Sequence, residues 1–162
     1  MAAVMAGAAL GVEQIIGVDL TESRRDTAVK VGATHVLDGA DPGLVDKLRD
    51  LTGGGATHAL DTTAVPAVVR TAAEALAVRG TLVVVGVGPD ATFNIGDLIG
   101  GGKTVRGCIE GDANPRPSSR ACSTGNRQGR LPMAEIVQTY AFTEMNQAVT
   151  GGAIKPVLVF ED

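Results

Sequence analysis

The chain has 162 residues, and its hydrophobic content of 44% is enough for the core of one folded domain. A formal net charge of −4 argues against a nucleic-acid-binding surface, and Cys108 and Cys122 show neither metal-ligand spacing nor the pattern of a disulfide scaffold. The apolar start, Met1 to Val12, is too short to cross a bilayer and lacks the basic flank of a secretory signal, so we expect a cytoplasmic protein.

Helix and strand patterns alternate from the start of the chain to Cys108. Helix formers, caps and proline positions predict helices at Met1–Leu10, Glu22–Val31, Asp41–Leu51, Pro66–Leu76 and Ile95–Ile99. Short apolar or β-branched runs predict strands at Ile15–Val18, Thr34–Leu37, Thr57–Leu60, Thr81–Val85 and Thr104–Cys108. This alternation is typical of a parallel α/β sheet with right-handed connections.

The pattern changes after Cys108. Ala113 to Asn126 contains two prolines and many small polar residues without apolar periodicity, which predicts an irregular loop. Four arginines and no acid lie between Ala113 and Ala134; a solvated loop is favoured over a phosphate-contacting patch. Helical character resumes at Met133–Thr139, and Lys155–Phe160 predicts a terminal strand.

Gln14 to Arg25 is the most informative stretch. A short buried-strand pattern ends at Asp19, and Thr21 can cap the helix that follows. A carboxylate in this position of a dinucleotide-binding fold accepts hydrogen bonds from the adenosine ribose hydroxyls and disfavours a 2′-phosphate. The alternative is an aspartate that only caps the turn, because capping acids are common at such positions.

Seven segments in order resemble the nucleotide-binding domain of the zinc-containing, medium-chain alcohol dehydrogenases. They are Ala2–Gly11, Ile15–Leu20, Val31–His35, Ala59–Thr63, Gly80–Val87, Asp97–Gly107 with Ile109–Asp112, and Ile154–Leu158. The sixth of these is particularly similar to the aryl- or benzyl-alcohol branch. The resemblance implies a Rossmann-type doubly wound parallel sheet. It also implies NAD-dependent oxidation of a primary alcohol to an aldehyde, with zinc polarising the alcohol oxygen.

The resemblance also implies roles for residues of the adenosine and pyrophosphate side. Asp19 would hold the adenosine ribose, and Arg24 would lie beside that ribose. Thr62 and Thr63 would line the adenine side of the cleft. Lys155 would approach the pyrophosphate, where the family often has an arginine; a plain surface lysine is the alternative.

On the nicotinamide side, the resemblance implies that Val85 and Val87 pack near the ring. Cys108, Ile109 and Glu110 would present backbone groups to the carboxamide. For Cys108, a small buried core residue is an equally good interpretation.

Parts of the family pattern are missing. The glycine-rich turn and the first strand would precede Ala2, and the zinc ligands belong to a separate domain, so we assign no catalytic and no metal residue. In the strand order 3-2-1-4-5-6 the first strand is central, so its loss would leave two strand edges unpaired, about 9–10 Å apart. We therefore expect a partial dinucleotide-binding domain over residues 1–162 that is inactive alone and binds NAD weakly.

Other interpretations remain open. One is a methyltransferase that binds S-adenosylmethionine, which also uses an acid after its second strand. Another is a non-catalytic fragment that pairs with other chains, since the family dimerises through edge strands of this domain. Thr81–Val87 and Thr104–Cys108 would then be central, and the edge would follow them. Residues Arg116–Gly125 depart from the family's amphipathic helix, and a compensated frameshift in the gene is our hypothesis for them.

Overall fold

The computed structural model describes residues 1–160, apart from the side chain of Asp112. Its helices are α1 (Ala2–Ala9), α2 (Glu22–Lys30), α3 (Leu44–Thr52), α4 (Pro66–Glu74), α5 (Ile95–Gly101), α6 (Pro115–Arg127) and α7 (Met145–Thr150). Its strands are β1 (Ile16–Asp19), β2 (His35–Asp38), β3 (Ala56–Asp61), β4 (Leu76–Val84), β5 (Thr104–Gly107), β6 (Val137–Ala141) and β7 (Lys155–Val159). Short 3₁₀ turns lie at Glu110–Asp112, Met133–Glu135 and Phe142–Glu144. No helix among the described residues is both long and apolar enough to cross a membrane.

All strand pairs of the described chain are parallel, as the sequence predicts. The strands form three sheets, with the orders β1-β2, β3-β4-β5 and β6-β7. Within residues 1–160, β1 is hydrogen-bonded only to β2, and β3 only to β4. These are the two strands that we expect to lose a neighbour if the first strand of the family is missing.

The chain divides into two compact units. Unit 1 consists of Met1–Gly39 together with the segment from Pro115 onward, and unit 2 consists of Ala40–Asn114. The core of unit 1 is built around Met5, Val31 and Ile136. That of unit 2 contains Val69, Ala73, Leu76 and Leu82, and the Leu82 side chain is 0% exposed. Both cores are aliphatic, as expected for a chain with only four aromatic residues.

Thr34 and Gly32 fix the position of strand β1 in unit 1. The Thr34 hydroxyl accepts a hydrogen bond from the Ile15 amide at 2.9 Å and donates one to the Ile15 carbonyl at 3.0 Å, which fixes the start of β1 beside β2. Gly32 has a φ of 114°, and a methyl group added there would lie 2.5 Å from the Ala8 Cβ. A glycine therefore both ends the α2 segment and lets α1 pack against it.

The expected loop at Ala113–Asn126 is wrong, because this segment forms most of helix α6. Its two prolines, Pro115 and Pro117, both lie in the first turn, where proline costs no intrahelical hydrogen bond. Gly125 lies inside the helix and is buried, since a methyl group there would lie 2.8 Å from a Leu131 methyl carbon. The prediction failed because proline and glycine indicate a loop by composition, whereas their positions in this segment are compatible with a helix.

The expected helical character at Met133–Thr139 is also largely wrong. Only Met133–Glu135 makes a 3₁₀ turn, and Val137–Ala141 forms strand β6 beside β7. Its β-branched and aromatic residues favour an extended chain. The predicted terminal strand is confirmed, and Pro156 lies in a two-stranded sheet where both strands are edges.

Two helix boundaries also differ from the prediction. Helix α3 begins at Leu44, because Asp41 closes a turn in which its Oδ1 accepts a hydrogen bond from the Gly43 amide at 2.8 Å. The Lys47 ammonium and the Gly43 amide together hold the pKa of the Asp41 carboxyl below its ordinary value of 3.8. Helix α4 ends at Glu74, and β4 starts at Leu76, with a shift in its register against β3.

Candidate functional site

The turn between β1 and α2 in unit 1 places Asp19 at the carboxyl end of a parallel strand. Its Oδ1 accepts a hydrogen bond from the Thr21 amide at 2.9 Å. Thr21 stands at the N-cap position of α2, but its side chain makes no capping bond, so that expectation is wrong. Asp19 therefore closes the turn before α2 and does not cap the helix itself. This bond uses one of the roughly four acceptor positions on the two carboxylate oxygens.

Arg25, to which the sequence patterns assign no role, binds the backbone carbonyls of the same turn. Its Nη1 donates hydrogen bonds to the Asp19 carbonyl at 2.7 Å and to the Leu20 carbonyl at 3.0 Å. The same nitrogen lies 3.6 Å from an oxygen of Asp38, at the end of β2. These contacts depend on one rotamer of a long side chain, which no sequence pattern announces.

The other two predicted residues of unit 1 are both cationic and exposed. Arg24 lies in the first turn of α2, and its Nη2 is 3.4 Å from the Gly152 carbonyl oxygen. Lys155 begins β7, where its amide donates to the Ile136 carbonyl at 3.0 Å. The Arg24 contact therefore joins helix α2 to the loop that precedes Lys155.

In unit 2, a buried carboxylate shapes the loop that follows β3. Asp61 is 4% exposed, and its Oδ2 accepts a hydrogen bond from the Ala64 amide at 2.8 Å. Its Oδ1 accepts from the Thr63 hydroxyl at 2.7 Å and from the Thr63 amide at 3.3 Å. The Thr63 hydroxyl also accepts from the Val65 amide at 3.1 Å. Thr62 and Thr63 are both exposed, but the Thr63 hydroxyl is bonded within the loop.

Two glycines bring the turn after β4 against this loop. A methyl group added at Gly86 would lie 2.7 Å from the Ala64 nitrogen, and one at Gly88 would lie 2.6 Å from the Ala64 oxygen. Ala64 itself has a φ of 53°. The neighbouring Val85 and Val87 are 40% and 100% exposed, so both offer apolar surface at this end of the sheet.

The segment after β5 joins the same end of unit 2. The Cys108 amide donates to the Val84 carbonyl at 3.0 Å, which continues the pairing of β5 with β4. Ile109 is 83% exposed, and Glu110 has a φ of 50°. Cys108 is half-buried, and this degree of exposure fits both a core residue and a residue that contacts a ligand.

The structure therefore brings together the seven predicted residues of unit 2 at the carboxyl edge of one three-stranded parallel sheet. A cleft of about 300 Å³ opens nearby and is lined by residues that include Ala64, Val84, Gly86, Phe93 and Gly107. Exposed valine and isoleucine side chains and turn backbone groups suit a flat ring that carries a polar substituent. Asp19, Arg24 and Lys155 lie in unit 1.

The role of Asp61 in shaping the loop after β3 carries a signal in the sequence. An aspartate that ends a strand and precedes a threonine by two residues is typical of a side-chain-stabilised turn. His35 and His58 are exposed. The Nδ1 atom of each ring forms a hydrogen bond with the hydroxyl of the preceding threonine, Thr34 or Thr57. No group of three or more His, Cys, Asp or Glu side chains within the described residues could hold a metal ion.

Comparisons with known proteins give a consistent result. Residues 1–123 match the family model described as zinc-binding dehydrogenase. Geraniol dehydrogenase of Castellaniella defragrans is 36% identical over an alignment that covers 99% of this chain and 45% of that enzyme.

Two solved structures share the fold closely. An alcohol dehydrogenase zinc-binding domain protein from Burkholderia ambifaria has a TM-score of 0.93 and 36% identity, covering 99% of this chain and 45% of that one. Benzyl alcohol dehydrogenase from Acinetobacter calcoaceticus has a TM-score of 0.93 and 34% identity, covering 98% of this chain and 46% of that one. The chain spans less than half the length of these relatives.

Proposed function

Because this chain belongs to the zinc-binding dehydrogenase family, we propose that it is the NAD-binding portion of an alcohol dehydrogenase. The parent reaction would be oxidation of a primary alcohol, aryl alcohols included, to an aldehyde. The observation that carries the proposal is the Asp19 carboxylate at the carboxyl end of a parallel strand, one turn before a helix. We further propose that the protein works in the cytoplasm.

Each half of the cofactor has its own supporting residues. Asp19 would accept hydrogen bonds from the adenosine ribose hydroxyls, and Arg24 and Lys155 supply positive charge in the same unit. In unit 2, Val85 and Val87 offer exposed apolar surface for a planar ring. Two further groups complete the proposed set: Thr62 and Thr63 on the adenine side, and Cys108, Ile109 and Glu110 on the carboxamide side.

Bound NAD would accept a hydride from the carbinol carbon of the alcohol. The residues of this chain would orient the cofactor and exclude water on one side of its ring. The described residues do not fit the zinc ion of the family, because none of their side chains forms a ligand cluster. We therefore assign this chain no part in activating the alcohol, and we propose that it does not oxidise alcohols alone.

The first test is a titration of the ¹⁵N-labelled full chain with ADP-ribose, followed by amide chemical shifts. We expect shifts at Asp19–Ser23 and a dissociation constant in the millimolar range, roughly −4 kcal/mol, because the glycine-rich turn that anchors the pyrophosphate is not in this sequence. Nicotinamide mononucleotide should instead shift the amides at Val85–Val87 and Cys108–Glu110.

A pair of isosteric substitutions controls this titration. Asp19→Asn removes the charge at the proposed ribose site and should abolish the shifts. Asp26→Asn removes an exposed carboxylate from helix α2, which follows that site, and should leave the shifts unchanged. Absence of any ADP-ribose response at Asp19–Ser23, or equal responses of both variants, would overturn the proposed function. Micromolar affinity would contradict the weak binding that we expect, but not the assignment of the site.

A non-catalytic role in assembly is the second candidate. Strand β5 is an edge of its sheet among the described residues, and all four of its residues are exposed. The expectation that Thr104–Cys108 is central therefore does not hold within this chain. An open, exposed edge can pair with another copy. Light scattering that gives a dimer, broken by Val105→Pro, would support this role.

A further inference from the structure

Arg25 occupies a position from which it controls the shape of the β1–α2 turn. Its side chain is 17% exposed, and one nitrogen, Nη1, donates to two consecutive carbonyl groups, those of Asp19 and Leu20. Asp38, the register partner of Asp19 on β2, lies 3.6 Å from the same nitrogen. Nη1 uses its two N–H groups on these carbonyls, and the ionic contact with Asp38 also helps to hold the guanidinium in place.

This arrangement separates the charge of Arg25 from the carboxylate of Asp19. Arg25 binds the backbone carbonyl of Asp19, and its ionic partner is Asp38. The Asp19 carboxylate is held instead by the Thr21 amide. The Asp19 carboxylate is therefore not the ionic partner of Arg25, whose half-buried side chain binds the backbone of the turn instead.

The charge distribution bears on which ribose the site accepts. An arginine that faces the ribose can accommodate a 2′-phosphate, whereas an acid there favours a free hydroxyl. Arg25 turns its Nη1 toward two carbonyls and Asp38, so its charge is directed away from the Asp19 carboxylate. Arg24 is the arginine proposed beside the ribose.

We infer that Arg25 is a positioning residue that fixes the Asp19 carboxylate for a ribose with a free 2′-hydroxyl. This inference rests on the proposed function for its ligand. Its structural part, that Arg25 holds the Asp19–Thr21 hydrogen bond, can be measured without any ligand.

Two substitutions distinguish positioning from simple charge. Arg25→Lys keeps the positive charge but loses the fork of donors, and Arg25→Met loses both. If Arg25 acts by position, both variants should lose about tenfold in ADP-ribose affinity, which corresponds to about 1.4 kcal/mol. Their preference for ADP-ribose over its 2′-phosphate should fall as well. Lys30→Met, on the exposed last turn of α2, is the matched control and should change neither quantity.

The Thr21 amide gives the readout that needs no ligand. In Arg25→Lys and Arg25→Met, its hydrogen exchange should accelerate and the temperature coefficient of its shift should rise, because the bond to Asp19 loosens. Unchanged Thr21 behaviour in both variants overturns the inference, even if the parent chain binds ADP-ribose. Full ADP-ribose affinity in Arg25→Lys overturns it too. A parent chain that binds no ADP-ribose defeats the proposed function, and the Thr21 amide then decides the role of Arg25 by itself.

Discussion

Replacing the buried Asp61 should weaken unit 2 more than any single hydrogen bond would suggest. In Asp61→Ala, the Ala64 amide loses its only described acceptor in a buried setting, at a cost of about 1–3 kcal/mol. The Thr63 amide and hydroxyl lose their shared acceptor as well, but water can reach this part-buried edge of the loop. We therefore expect a total loss of about 3 kcal/mol in the free energy of unfolding, less than three full charged hydrogen bonds.

Two milder variants grade this effect. Asp61→Asn keeps the Oδ1 acceptor but turns an amide group toward the Ala64 amide, and should cost about 2 kcal/mol. Thr63→Val removes only the hydroxyl and should cost about 1 kcal/mol. Urea unfolding followed by far-UV circular dichroism gives the overall loss, and amide exchange in β3 and β4 assigns it to unit 2. A loss below about 1 kcal/mol for Asp61→Ala, or a larger loss for Thr63→Val, would refute the reasoning.

Three further outcomes test packing and charge. Leu82→Ala should lower the free energy of unfolding by about 2–5 kcal/mol in urea titrations, because the side chain is fully buried; a loss under about 1 kcal/mol would contradict this core. Gly86→Ala should cost about 2 kcal/mol, because its methyl group would meet the Ala64 backbone, whereas Gly107→Ala has open space and should be near neutral; equal costs would argue against the close approach. Asp41→Asn should remove the part of the stability that the charged carboxylate supplies above pH 3.8 and loses as pH falls through its lowered pKa; urea midpoints measured from pH 5 downward check this, and an unchanged acid slope would count against it.

The parallel strands could be predicted because each is a short apolar run closed by a polar or glycine residue. Ile16–Asp19 and Ala56–Asp61 both follow this rule, and both end in the aspartates that shape the turns. Helix α6 could not be predicted, because its prolines and glycine are loop signals by composition and only their positions permit a helix. Strand β6 was misread since a short mixed segment fits either period.

The same limit applies to the candidate site. Residues that follow strands could be placed at one edge from topology alone, and Val85, Val87 and Cys108 lie where that argument puts them. The hydrogen-bond partners of the side chains within the turns could not be predicted from the sequence. Whether the Thr63 hydroxyl faces a ligand or Asp61, and whether Arg25 reaches a carbonyl, depends on rotamers that packing selects. Sequence thus indicates which residues lie at the carboxyl edge of the sheet, and tertiary contacts decide which of their atoms are available to a ligand.

The two units differ in how the chain supplies them. Unit 2 comes from one uninterrupted stretch, Ala40–Asn114, whereas unit 1 needs Met1–Gly39 and the segment from Pro115 onward. Because domains fold as units during synthesis, unit 2 can fold as soon as Ala40–Asn114 has left the ribosome. Met5 and Val31, by contrast, wait for Ile136 before their apolar surface is covered. Until Ile136 is made, the apolar surface of Met5 and Val31 is therefore open to a chaperone.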